Sequence, residues 1–213
     1  MAMKRLLLML TALTLALALG GCALLERNDA TPTRDPNAQN PVATITMENG
    51  AVMTAELYPE YAPNTVANFI ELANSGFYDG IKFHRVVKGF VIQAGQASTA
   101  GRDELDYTIS GEFSSNGYEG NTLKHVKGVL SMARTSEPDS ASGQFFIVVA
   151  DAPDYLDGEY AAFGALVDDD SIAVAEKISK VAVNSNNVPV NDQTIASIRV
   201  ETFGQEYTVQ KLQ

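Results

Sequence analysis

Phe83-His84-Arg85-Val86-Val87-Lys88-Gly89-Phe90-Val91-Ile92-Gln93 reads as two short apolar strands joined across Lys88-Gly89, with two polar side chains, Arg85 and Gln93, set inside them. A charge taken out of water is costly unless it is paired or used. Arg85 therefore faces solvent, pairs with a carboxylate, or lines a site. Taken singly, Phe90 is core packing by default, and Arg85 is a structural ion pair.

The pattern on either side is that of a β-rich domain. Val42-Ala43-Thr44-Ile45-Thr46-Met47 alternates as a strand, Glu48-Asn49-Gly50 carries the Asn-Gly hairpin signal, and residues 51–57 return. Pro63 opens a helical stretch in which Val66, Phe69, Ile70 and Ala73 share a face, and Gly76 marks its end. Further strands are expected at 81–87, 90–94, 128–133, 144–149 and 161–167, and a last one at about 193–203. Asp168-Asp169-Asp170-Ser171 precedes Ile172, Val174, Ala175 and Ile178, and acids suit the start of a helix. Many short strands with two helices argue for an antiparallel barrel or sandwich. Residues 96–124 form a long irregular stretch, either a functional loop or a surface excursion.

Two more blocks follow in order: Gly128-Val129-Leu130-Ser131-Met132-Ala133-Arg134-Thr135 with Gly143-Gln144-Phe145-Phe146-Ile147, and Tyr155-Leu156-Asp157-Gly158-Glu159-Tyr160-Ala161-Ala162-Phe163-Gly164. Together with the first block they resemble the cyclophilin family of peptidyl-prolyl cis-trans isomerases, whose signatures are F-H-R-V-x-x-G-F-x-x-Q-x-G, S-M-A … S-Q-F-F-I and L-D-G-x-x-x-x-F-G. The resemblance extends over nearly all of residues 42–203, including the helix motif N-T-V-x-N-F and Leu123-Lys124-His125.

The resemblance implies a mainly β fold, a closed eight-stranded antiparallel β-barrel capped by two α-helices, with a groove on its outer surface. It implies that Arg85 is the catalytic arginine, acting with Phe90, Gln93 and Phe146. It makes Val91, Ala133, Arg134, Thr135, Gln144, Tyr155, Leu156 and Tyr160 the residues that meet substrate. The implied partners are proline-containing polypeptides, and the implied reaction needs neither metal nor cofactor. The sequence departs from the family's common pattern at Val91, where many members carry Met, at Tyr160, where eukaryotic members have His, and at four further places. Gly143 stands for the usual Ser, the loop 134–143 is one residue longer, Arg134-Thr135 replaces Asn-Ala, and Tyr155 replaces Trp. The last removes the ground for expecting tight cyclosporin binding without touching catalysis. His84 and His125 have no visible nucleophile partner and no G-x-S-x-G accompanies them, so both are expected to be structural.

Composition agrees with a folded, acidic domain. Hydrophobic residues are 46 %, charged residues 19 %, and the formal net charge is −11, without a basic patch for nucleic acid. With two His and one Cys, neither a His/Cys metal site nor an internal disulfide is expected. Residues 1–21 read as a secretory signal: Lys4 and Arg5, then an apolar run over 6–19, too short for a stable span. Leu19-Gly20-Gly21-Cys22 resembles the lipobox of bacterial lipoproteins, which implies lipidation of Cys22. Residues 22–41, with Pro32, Pro36 and Pro41, read as a flexible tether, 42–203 as the isomerase domain and 204–213 as a tail. The expectation is a monomer on the extracytoplasmic face of a membrane, touching it through the lipid alone.

Overall fold

The computed structural model describes residues 39–150 and 154–213. The signal, Cys22 and nearly all of the tether lie outside the described residues. Among the described residues, no helix is long and apolar enough to cross a membrane.

Eight strands form one antiparallel sheet: β1 Val42–Met47, β2 Val52–Leu57, β3 Arg85–Val87, β4 Val91–Ala94, β5 Val129–Met132, β6 Phe145–Val148, β7 Ala162–Leu166 and β8 Ile195–Glu201, in the order β3-β4-β6-β5-β7-β2-β1-β8. The β1–β2 hairpin turns at Asn49-Gly50, as its sequence predicts. Gly50 takes φ 82°, open to glycine without strain, and Asn49 Oδ1 accepts the Ala51 N–H at 3.0 Å.

The expected closed barrel is corrected: the sheet is an open half-barrel. Its edge strands β3 and β8 form no ladder with each other. The predicted strand at 81–87 divides instead. Residues 85–87 pair with β4. Upstream, the Phe83 N–H donates to the Gln193 carbonyl, the Ile195 N–H donates to the Ile81 carbonyl, and Lys82 and Thr194 form a single bridge. The two edges thus meet in a few backbone bonds, too few to continue the sheet.

Helix α1 (Pro63–Asn74) has Pro in its first turn and buries Val66, Phe69, Ile70 and Ala73, the face its spacing predicts. Its free N-terminal donors are met by a distant residue. Glu112, from the long irregular stretch, accepts the Asn64 and Thr65 N–H groups at 2.9 and 2.7 Å. Helix α2 (Asp169–Ser179) is capped by Asp168, whose carboxylate accepts the Ser171 N–H at 2.7 Å.

Both helices cover the same face of the sheet. The core there is aromatic at its centre: the Phe69 ring lies 5.4 Å from Phe145 and 5.1 Å from Phe163, and Tyr78 lies 5.5 Å from Phe145. Residues 96–124 join this core through Ile109 and Phe113. Residues 204–213 also lie against it, with Tyr207 and Val209 packed on the core and Leu212 bridged to Thr108.

Candidate active site

The opposite face of the same strands carries a second, smaller apolar cluster. Val91, Val129, Phe146, Val148, Leu156 and Ala162 are buried in it, and Phe90, Leu123, Ala133, Tyr160 and Ala165 border it. The alternation of a β-strand separates the two. In β6, Phe145 and Ile147 enter the main core, while Phe146 and Val148 enter the outer cluster.

Register lines up the polar residues with this cluster. Arg85 stands opposite Gln93, Gln93 opposite Phe146, and Phe146 opposite Ser131. Residues directly opposite across antiparallel strands project to one face. The row therefore runs from a cation at the sheet edge, through a neutral amide, to an aromatic ring.

The Arg85 guanidinium donates to Gln93 Oε1 at 3.3 Å, and Gln93 Nε2 donates to Gln144 Oε1 at 3.0 Å. Arg85 forms no ion pair with any described residue, and it is half-buried. Of the three roles open to it, pairing with a carboxylate is thus not the one taken. One Gln93 oxygen cannot occupy a guanidinium's five donors, so most of its fork is unspent.

Gln144 reaches this row because two backbones touch beside it. β4 is followed by Gly95, φ 94°, where any Cβ would collide with the Gly143 carbonyl. A Cβ on Gly143 itself would lie 2.7 Å from the Phe77 ring. That contact gives a physical reason for glycine where the family usually has serine.

The floor of the cluster is held from beneath. His125 is buried and stacks on Phe146, with centroids 6.1 Å apart and planes at 20°. Its backbone N–H and its Nδ1 both meet Asp157 Oδ1, at 2.9 and 3.0 Å, and its Nε2 lies 2.9 Å from Ser131 Oγ. The Ser131–His125–Asp157 chain has the order of a hydrolytic triad. Ser131 is wholly buried, however, so the chain offers no nucleophile. Burial holds the His125 ring below its ordinary pKa, against the pull of Asp157. Burial raises Asp157, but hydrogen bonds from the His125 backbone, its ring and Lys124 outweigh that and leave it low. His84 is likewise lowered by burial, and its Nδ1 has no hydrogen-bond partner.

The remaining predicted residues divide. Leu156 is in the cluster, and Tyr160 meets Phe146 edge-on at 5.7 Å. Tyr155 is 62 % exposed, yet its ring lies 6.2 Å from Phe90, forming a lip. Arg134 is committed elsewhere than Arg85. Its Nε donates to the Glu159 carbonyl at 3.0 Å, its fork reaches the Glu159 carboxylate at 3.3 Å, and its plane lies over Tyr160 and Phe113 at 4.8 and 5.1 Å. Thr135 stays outside the cluster, exposed and bonded within its own loop to Ser140 at 2.8 Å. Sequence reasoning missed Ser131, Asp157 and Glu159 as supports. The alternation of Val129 and Ser131 on β5 was the available signal, since it puts the serine on the cluster's face.

A model of the family described as cyclophilin type peptidyl-prolyl cis-trans isomerase matches residues 42–200. Over 118 residues the chain is 48 % identical to peptidyl-prolyl cis-trans isomerase B of Bacillus subtilis, covering 55 % of this chain and 78 % of that one. Over 147 residues it is 40 % identical to isomerase A of Dickeya dadantii, covering 65 % and 74 %. A crystal structure of a Cryptosporidium parvum cyclophilin-type isomerase superimposes with a TM-score of 0.65 at 27 % identity, over 76 % of this chain and 98 % of that one. The structure of that isomerase in the presence of the dipeptide Ala-Pro gives 0.64 at 28 % identity, over 75 % and 98 %.

Proposed function

The chain belongs to the cyclophilin-type peptidyl-prolyl cis-trans isomerase family and catalyses the cis-trans isomerisation of X–Pro peptide bonds; we propose that it does so on the outer face of the sheet, with Arg85 as its catalytic donor. The observation that carries this assignment is the row Arg85–Gln93–Phe146, a cation without a carboxylate beside an apolar cluster.

The chemistry needs little more. The partial double bond of the amide gives a barrier of about 18–20 kcal/mol. Uncatalysed exchange about X–Pro takes tens to hundreds of seconds, and the two isomers differ by only about 0.5–1 kcal/mol. No bond is made to the enzyme and no proton moves. Catalysis consists of stabilising the twisted state more than either planar one. On twisting, the proline nitrogen becomes pyramidal and regains its lone pair. A guanidinium donor aimed at that nitrogen is worth more in the twisted state than in the ground state, and an arginine is always charged.

The other residues supply position. Phe90, Val91, Phe146 and Leu156 hold the proline ring against rigid walls, while the preceding carbonyl swings. Gln93 fixes the guanidinium without neutralising it, and Gln144 fixes Gln93. This is preorganised electrostatics, in place before substrate arrives. Ala133, Tyr155 and Tyr160 border the groove where the residues flanking proline lie.

The substrates are proline-containing polypeptides. The relative studied in the presence of Ala-Pro supports this reading, as does the apolar cluster beside Arg85. The sequence signals at 1–22 support a further proposal, that the enzyme is anchored through lipidated Cys22 on the extracytoplasmic face and assists folding of exported proteins. Mass spectrometry of the membrane-extracted protein is expected to show a diacylglyceryl adduct on Cys22, with Cys22→Ser releasing the domain; an unmodified, cleaved chain would contradict the anchor.

Exchange spectroscopy on a short Ala-Pro peptide tests the activity. Catalytic amounts of protein are expected to bring cis and trans signals into exchange. Peptide binding without exchange would convert the groove into a binding module.

A further inference from the structure

We infer that the C-terminal segment, residues 205–213, is a positioning strap for Gln144, acting through Tyr107 and Asn68. The inference rests on the reading of Arg85, Gln93 and Gln144 as one working row. The segment lies beyond residue 200, where the family match ends, yet it is fastened at three points. Thr108 and Leu212 exchange backbone hydrogen bonds of 3.1 and 2.8 Å. Asn64, in the first turn of α1, donates its amide to the Gln210 carbonyl at 3.0 Å and accepts the Gln210 N–H at 2.7 Å. Lys211 stands 4.3 Å above the Tyr107 ring and 2.7 Å from the Glu71 carboxylate.

From Tyr107 the connection runs inward. The Tyr107 hydroxyl donates to Asn68 Oδ1 at 2.9 Å, and Asn68 Nδ2 donates to the Ser142 carbonyl at 2.6 Å. Asn68 is wholly buried in α1, so both ends of its amide must find partners, and these are the two it finds. The residue after Thr108 acts in the same direction: the Ile109 N–H donates to the Ala141 carbonyl at 2.8 Å. Tyr78 adds a bond to the Gly143 carbonyl at 3.1 Å. Three successive carbonyls, of Ala141, Ser142 and Gly143, are therefore pinned immediately before Gln144. Two of the three pins belong to, or depend on, the stretch that the strap holds.

Gln144 in turn receives Gln93, and Gln93 receives Arg85. A sideways shift of Gln144 would turn Gln93 and re-aim the guanidinium. A small displacement of a positioned group, even one caused far from the chemistry, is costly to rate. Tyr107 and Asn68 touch no substrate, so their role is positioning.

The test compares the full chain with a chain ending at Gly204, reading the side-chain amide signals of Gln93 and Gln144 by NMR together with kcat and KM on an X–Pro peptide. Removing the strap is expected to move or broaden both amide signals and to lower kcat about five-fold, with KM changed less than about two-fold. Tyr107→Phe keeps the ring beneath Lys211 and removes only the hydroxyl; it is expected to shift the same amide signals and lower kcat about two- to three-fold. Lys211→Arg, which keeps a cation over the ring, is expected to keep wild-type values, whereas Lys211→Met is expected to shift the amide signals in the same direction as Tyr107→Phe. If the shortened chain does not fold, Tyr107→Phe decides. Unmoved amide signals and unchanged kcat, with only the melting temperature lowered, would overturn the strap and leave a structural clasp. If the full chain itself shows no isomerisation, the proposed function fails, and the amide signals alone judge the strap.

Discussion

Phe145 and Phe146 are neighbours in β6 and are about equally buried, yet they belong to different parts of the molecule. Phe145 meets Phe69, Phe83 and Tyr78 inside a core covered by both helices. Phe146 meets His125 and Tyr160 on the other face, beside a row that ends in Arg85. The inner face is closed by aromatic packing, and the outer cluster is bordered by partly exposed residues with an unspent cation at its rim. A strand hydrophobic on both faces can thus serve stability with alternate residues and function with the rest.

Paired substitutions sharpen that comparison. Phe145→Leu and Phe146→Leu are each expected to cost about 1–2 kcal/mol in chemical denaturation, since each leaves a partly filled cavity. Only Phe146→Leu is expected to lower kcat/KM per folded molecule substantially, by about ten-fold. Equal activity losses from the two would mean that the faces are not functionally separate. A smaller effect is expected from Gln93→Leu, about five-fold in kcat, because the guanidinium keeps its charge and loses only its tether.

The smallest effect is in pH. Burial lowers both His84 and His125, so the folded state disfavours their protonation. Their contribution to stability is present above the unfolded value of about 6.5 and is lost as pH falls below it. The denaturation midpoint should therefore decline between about pH 7 and 5.5, and His84→Gln should flatten the slope. Glu112, raised by burial, acts with the opposite sign, and the difference between wild type and variant removes it from the reading. Asp79, held low first by its hydrogen bond with Arg199, contributes only in the more acidic carboxylate range. A slope unchanged by His84→Gln would show that its imidazole is not held neutral by the fold.

The site was legible in the sequence where it is local. Arg85 and Gln93 stand out as polar residues in a single strand pair, but a two-residue turn at Lys88-Gly89 would face Arg85 with Ile92; the turn that forms spans 88–90 and brings Gln93 opposite instead. Helix α1 was legible because Pro63 and an apolar stripe mark it. The open edge was not. Whether residues 81–83 extend β3 or turn to meet residues 193–195 depends on partners more than a hundred positions away. The same holds for Glu112 as the cap of α1, and for residues 205–213, whose polar letters conceal their bonds to Asn64 and Thr108. His125 was legible only as a histidine without a nucleophile; its stacking on Phe146 required the strands to be in place.

The central claim is that Arg85 stabilises the twisted amide and does little to hold the planar one. Steady-state kinetics of Arg85→Ala on an X–Pro peptide test it most directly. The account predicts a fall in kcat of about a hundred-fold, the scale of losing one preorganised donor, with KM changed less than about three-fold. A variant that keeps the wild-type kcat and loses only affinity would contradict it.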